Sequence, residues 1–218
     1  MSLSDKLNNI RKIKDFNYLL NEKQDKKKIK NYYNTNKLAY LLFHNNFGYL
    51  HMGISNNGNY HKSDLLAQVK IIEKEIESPS VLKILELGYG RGANLYNLAK
   101  IFPEKKFIGI DLSTNPLKKY QLNNIDFIKR DYDDLSFLEK DINLVFAIET
   151  LCHSDSLANS LKEVYSIMSS GAKLIIFDGY YLTDFNNLDK DTKDACQLTE
   201  RGMAVDHFHQ LQDLRTTT

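Results

Sequence analysis

The chain has 218 residues, 42% of them hydrophobic, and a formal net charge of +1. That length suits one α/β domain burying roughly 70% of its unfolded surface, and the balanced charge gives no reason to invoke nucleic acid, since the one dense basic run, Lys26-Lys27-Lys28 with Lys30, sits beside Glu22 and Asp25 like a solvated helix face. Cys152 and Cys196 are the only cysteines and have no metal-type spacing; with no signal peptide and no long apolar span, they point to a reduced, cytoplasmic protein with no metal and no membrane partner.

Taken in order, residues 4–30 place Leu7, Ile10, Ile13, Phe16 and Leu20 near helical spacing, which predicts one or two amphipathic helices outside a core sheet. Residues 31–55 are dense in aromatics and follow neither a strand nor a helix rhythm. Tyr32, Tyr33, Tyr40, Phe43 and Phe47 there read as glue between an N-terminal cap and the domain. From Ser63, a candidate N-cap, Leu65, Leu66, Val69, Ile72 and Ile76 form one helical stripe, which Ser78-Pro79-Ser80 ends.

A short apolar strand from Val81 then enters a turn carrying Gly88, Gly90 and Gly92, and helical spacing resumes at Ala93, Leu95, Leu98 and Ala99 before Pro103. Phe107 to Ile110 is a second strand delivering Asp111, with a helix expected over 113–120 that Asp111 could cap. Ile125 to Lys129 is a third strand, leading to Asp131. Leu144 to Ile148 is a fourth, followed by Glu149. A helix over 156–168 with Gly171 as its C-terminal breaker precedes a fifth strand, Lys173 to Phe177, ending at Asp178. The remaining tail is polar, with one helix predicted near Val205 to Leu214 that takes up the His207-x-His209 pair.

Strands alternating with helices predict an α/β fold with a doubly wound, Rossmann-like parallel sheet, whose ligands sit at the carboxyl ends of the strands. Five strands end in or just before an acid, and carboxylates gathered at one edge repel unless they bind something. The expected division is a helical cap and aromatic segment over 1–62, a core over 63–181 and a tail over 182–218.

Two ligand classes use a strand, glycine turn and helix of this kind. Gly88, Gly90 and Ala93 satisfy the looser dinucleotide fingerprint G-x-G-x-x-G/A, so NAD stays open; Glu86 before the first glycine and Asp111 about twenty residues on sharpen the choice. Glu86-Leu87-Gly88-Tyr89-Gly90-Arg91-Gly92 resembles the first motif, (D/E)-x-G-x-G-x-G, of the class I S-adenosylmethionine (SAM) dependent methyltransferases. A cluster of acids suits a cationic sulfonium ligand and opposes a pyrophosphate.

The resemblance implies SAM as cofactor and methyl transfer to a small molecule. Glu86 would orient the turn and the SAM ammonium, and Gly88, Gly90 and Gly92 would admit the ligand to the backbone. Asp111, with Leu112 beside it, suits the two ribose hydroxyls. Asp131 resembles the acid that accepts from the adenine amino group, with Tyr132 beside the ring and Ala147 also at the cofactor; its alternative is an ordinary loop acid. Glu149 and His153, four residues apart, resemble the pair that faces the transferred methyl, with His153 as a candidate base; the alternative for His153 is a plain loop residue. Cys152 reads as a small buried residue rather than a nucleophile.

Tyr32-Tyr33 and His51-Met52-Gly53 match the segment that precedes the SAM domain in small-molecule enzymes similar to the tocopherol, glycine/sarcosine and sterol-type methyltransferases, which implies a lid. Two departures stand out: Tyr89 occupies a place where relatives carry a small residue, on the turn's outer face, and no strand-turn-strand pattern follows Tyr181, so the family's closing antiparallel hairpin is absent. Either the chain is a truncated version or its sheet edge is covered otherwise, and an uncovered edge strand makes a homodimer or an unstable fragment the expectation. Rival readings are an NAD-dependent oxidoreductase and a SAM-binding module without turnover.

Overall fold

The structure, a computed structural model, describes residues 1–13, 15–21, 24–39, 45, 47–55, 58–113 and 116–217, the side chains of 37–39 and 215–217 excepted; Tyr40 and Phe43 lie outside it. The chain forms α1 (Leu3–Ile13), α2 (Phe16–Asn21), α3 (Lys26–Ala39), α4 (Ala67–Ile76), β1 (Lys83–Leu87), α5 (Ala93–Ile101), β2 (Lys106–Asp111), β3 (Ile125–Lys129), β4 (Ile142–Ile148), α6 (Leu157–Ile167), β5 (Met168–Phe177), α7 (Lys190–Gly202) and α8 (Leu211–Thr217). It divides into two compact units, residues 36–178 and residues 1–35 with 179–218.

The 36–178 unit holds a five-stranded sheet in the order β3-β2-β1-β4-β5, every pair parallel. The central strands are buried on both faces, as an α/β sheet covered by helices requires. Ile84, Phe107, Leu144 and Phe146 point into one layer with Leu65, Val69, Ile72, Leu95 and Leu98 from the α4 and α5 region. Leu85, Leu87, Ile108, Ile110, Val145 and Ala147 alternate with them and are equally buried. At the N-terminal end Lys105 is buried with its ammonium on the carbonyls of Ile76 and Ser78.

Local chemistry moved three expected boundaries. A 3-10 turn over Lys62–Leu66 precedes α4, and Asp64 accepts the His61 amide at 2.9 Å, so the element opens at His61 rather than on a Ser63 cap. Among the described residues of 113–120 only a 3-10 turn at Lys118–Tyr120 forms: Pro116 has no amide to give a helix, and Asp111 takes the Ser113 amide at 2.8 Å. Gly171 does not end α6. It lies within β5 at φ 77°, in an irregularity where Ile142 pairs with Met168 but Leu144 pairs with Lys173, so β5 loops out its surplus residues.

The other unit joins the two ends of the chain. α1 and α2 pack on α7, Leu7 is buried, and Arg11 pairs with Asp194 at 2.9 Å. Among the described residues there are thus three N-terminal α-helices, and two in the tail where one was expected. Residues 205–210 are not helical, and His207 turns its Nδ1 to the buried Glu200 at 3.0 Å, which also accepts from the Tyr181 hydroxyl at 2.7 Å and the Phe208 amide at 2.9 Å. Tyr32 and Tyr33 sit on α3 with their rings edge to face, centroids 5.2 Å apart. Among the described residues no strand follows β5, no group of acids, His and Cys could hold a metal, and no helix is long and apolar enough to cross a membrane.

Candidate active site

Because all five strands run the same way, Leu87, Asp111, Lys129, Ile148 and Phe177 end at one edge of the sheet. There β1 turns into α5 through Gly88, Gly90 and Gly92, at φ 67°, 54° and 83°, a backbone that L side chains rarely adopt. The close approach that the glycines permit is by the chain's own side chains: a Cβ on Gly88 would lie 2.0 Å from Thr150 Oγ1, on Gly90 2.8 Å from Leu50 Cδ1 and on Gly92 2.7 Å from Phe127 Cζ. Tyr89 turns inward rather than onto the outer face. It is buried, packs on Phe127 with centroids 4.8 Å apart and donates to the Ser113 carbonyl at 3.2 Å, in space that Gly109 leaves open.

Asp111 latches this turn. One carboxylate oxygen accepts the Gly90 amide at 2.9 Å and the other the Ser113 amide at 2.8 Å, while burial raises its pKa. Leu112 follows it, half-buried. Asp131 sits two residues beyond β3 on the same edge and accepts the Asp133 amide at 3.0 Å; Tyr132 beside it is buried and donates to the Thr150 carbonyl at 2.9 Å. Ala147 is fully buried in β4 next to Leu87.

Glu86 is only 1% exposed. Its Oε1 accepts from Asn94 Nδ2 at 2.8 Å, and its buried Oε2 has no hydrogen-bond partner. Burial, with Asp111 adding repulsion, pushes its pKa from 4.5 up to about 8, against the Asn94 bond and the pull of the Leu95 amide. An orphaned carboxylate oxygen under a left-handed glycine turn suits a cationic donor, and an ammonium is one. Asn94 and its contact with His51 Nε2 at 3.2 Å escaped sequence reasoning. The available signal was a polar residue at the second position of α5, on the face the glycine turn presents to β1.

At the end of β4, Glu149 takes φ 47°, a strained value for a non-glycine residue. Its carboxylate accepts the Met52 amide at 2.9 Å, and burial with the nearby Asp178 charge raises its pKa to about 7 despite that bond. His153 closes the 3-10 turn Leu151–His153, half-buried, its amide on the Thr150 carbonyl at 3.0 Å. Cys152 between them is buried and its thiol pKa is raised well above the usual range by burial and Asp178, the reverse of an activated nucleophile. His51 is buried in this unit; Tyr32 and Tyr33 belong to the other.

A family model described as a methyltransferase domain matches residues 85–176, from β1 to β5. Sterol 24-C-methyltransferase ERG6 of Saccharomyces cerevisiae is 28% identical over 109 residues, 46% of this chain and 28% of that protein. Methyltransferase str2 of Strobilurus tenacellus is 31% identical over 113 residues, 50% of this chain and 39% of that protein. The chain therefore spans well under half the length of these curated relatives. Among solved structures, a Galdieria sulphuraria protein assigned as a sarcosine dimethylglycine methyltransferase superposes with TM-score 0.69 at 13% identity, covering 84% of this chain and 72% of that one. Haemonchus contortus phosphoethanolamine N-methyltransferase 2, in complex with SAM, superposes with TM-score 0.56 at 19% identity, covering 69% and 35%. Sheet order, glycine turn and matched residues agree: residues 85–176 are similar to a methyltransferase domain, on a Rossmann-like fold of the class I kind.

Proposed function

We propose that this protein transfers a methyl group from SAM to a small-molecule acceptor. The observation that carries the proposal is the buried, unpartnered Oε2 of Glu86 beneath the glycine turn, which suits the ammonium of the amino-acid moiety. Asp111 holds the turn through Gly90, and the Ser113 hydroxyl it accepts at 3.2 Å gives way to leave lone pairs for two ribose hydroxyls. Asp131 and Tyr132 suit the adenine end, and Leu112 and Ala147 are apolar neighbours of the same edge.

The sulfonium supplies an electrophilic methyl group, and its in-line transfer needs a nucleophile held at the right distance more than it needs a base. Glu149 and His153 lie on the loop that follows the central β4 strand and are proposed to face the acceptor. Glu149, near neutral in pKa, can take a proton from the acceptor as the new bond forms; His153 orients it or shares that task. Tyr32, Tyr33 and His51 are proposed as lid residues, His51 at the amino-acid end. Cytoplasmic location and self-association through the β5 edge belong to the same proposal, from the two free thiols and the edge strand.

Calorimetry with SAM, S-adenosylhomocysteine and NAD tests it, together with an assay for S-adenosylhomocysteine release over an acceptor library. Both adenosyl ligands are expected to bind and NAD is not. NAD binding with no response to either adenosyl ligand overturns the proposal.

A further inference from the structure

Behind the glycine turn three buried side chains form a chain of their own: Glu86 on β1, Asn94 on α5 and His51 from the segment before α4, exposed by 1%, 7% and 3%. Asn94 is engaged at both ends, its Nδ2 on Glu86 Oε1 at 2.8 Å and its Oδ1 against His51 Nε2 at 3.2 Å. The other ring nitrogen, Nδ1, meets the Met52 carbonyl at 3.0 Å, so it carries a proton in every state. Nε2 is the position that varies.

An amide bridging an acid and an imidazole fits two arrangements equally well. With its oxygen toward His51, Nε2 must carry a proton, and a Glu86 carboxylate accepting from the Asn94 NH2 balances that charge. After a half-turn of the amide, the Asn94 NH2 donates to a bare Nε2 and its oxygen accepts from a protonated Glu86. Both arrangements make the same hydrogen bonds and hold the same total charge; they differ in where one proton sits.

We propose that Glu86, Asn94 and His51 share one buried proton, and that a cation docking on the free Glu86 oxygen moves it from the carboxyl to His51 Nε2 while the Asn94 amide turns over. One O–H bond breaks, one N–H bond forms, and nothing is exchanged with solvent. Without the cation, burial and the Asp111 carboxylate on β2 favour the protonated acid. The other groups around the chain are Tyr49, whose ring stands edge-on to His51 with centroids 5.4 Å apart, Gln68 of α4, which donates to the Met52 carbonyl at 2.7 Å, and Glu149 after β4, which takes the Met52 amide. Loading the amino-acid end therefore places a positive charge on the ring that holds Met52, whose amide binds Glu149. The inference rests on the proposed use of this site by an adenosyl amino acid.

Calorimetric titration of S-adenosylhomocysteine at pH 6.5, in two buffers of different ionisation enthalpy, counts the protons exchanged. The ligand's own amine is already protonated there. The unchanged protein is expected to exchange close to none, whereas His51→Gln and Asn94→Leu, which cut the chain at different links, each release about one proton per ligand bound. In 15N spectra of the unliganded protein His51 is expected to be neutral with its proton on Nδ1, and to become an imidazolium on saturation. Release of a proton by the unchanged protein, binding without release by both folded variants, or an imidazolium before any ligand is added overturns the shared proton. Absence of S-adenosylhomocysteine binding overturns the proposed function instead, and the spectrum of the unliganded protein still decides on the proton.

Discussion

Replacing Glu86 by Gln should make the unliganded protein more stable at neutral pH. An acid whose pKa rises on folding costs nothing below its unfolded value, because it is protonated in both states. The cost grows as pH rises from there to the folded value and is constant above it. For Glu86 that window runs from 4.5 to about 8, and each pH unit is worth about 1.4 kcal/mol. At pH 7 the penalty is therefore about 3 kcal/mol, and it levels off near 5 kcal/mol above pH 8. Gln can meet the Asn94 amide in either orientation and fills the same space, so Glu86→Gln recovers most of that penalty while losing the charge a cationic ligand needs. Urea unfolding followed by circular dichroism at pH 5, 6, 7 and 8 reads the effect. The two proteins should converge toward pH 5 and diverge as pH rises, and the variant should bind S-adenosylhomocysteine at least tenfold more weakly. A variant less stable than the parent at pH 7, or a difference that does not change with pH, refutes the reasoning.

Three further outcomes are expected. Gly88→Ala drives a Cβ to 2.0 Å from Thr150 Oγ1 at φ 67° and should cost upwards of about 2 kcal/mol; adding Thr150→Gly removes the clash and should restore part of the loss in thermal melts, leaving about 1 kcal/mol of backbone strain. Asp111→Asn turns one acceptor of the Gly90 and Ser113 amides into a donor, so hydrogen exchange at Gly90 should speed up and adenosyl-ligand affinity should fall by roughly tenfold or more; unchanged exchange at Gly90 would remove Asp111 as the latch. Glu149 is the conjugate base only above its pKa of about 7, so methyl transfer should rise through pH 7 and then level, and Glu149→Gln should lose roughly a hundredfold in rate with a flat profile. A Glu149→Gln enzyme that keeps the parental pH profile assigns the base elsewhere.

The sheet was readable because its central strands are continuous apolar runs closed by Gly or an acid, a pattern that local composition alone can carry. The glycine turn was readable in type, though its crowding by Thr150, Leu50 and Phe127 was not, since each comes from a distant part of the chain. Asn94 stayed hidden because a lone amide at the start of a helix looks like any other polar residue until His51, 43 residues away, is brought against it. α7 was missed for the opposite reason: six of its thirteen residues are charged and Leu198 is its one large apolar side chain, so the apolar stripe is weak, and only the Asp189 side chain accepting the Thr192 amide at 3.1 Å marks its start. The Gly171 reading failed because a positive-φ glycine serves a bulge as well as a helix end.

The unit that joins 1–35 to 179–218 imposes an order on synthesis. Helices α1 and α2 leave the ribosome ahead of the 36–178 unit, yet α7, against which they pack, is made only after that whole unit. At ~5–20 residues per second that interval is on the order of ten seconds, long enough for the parallel sheet to assemble while the leading helices, too short to persist alone, wait without their partner.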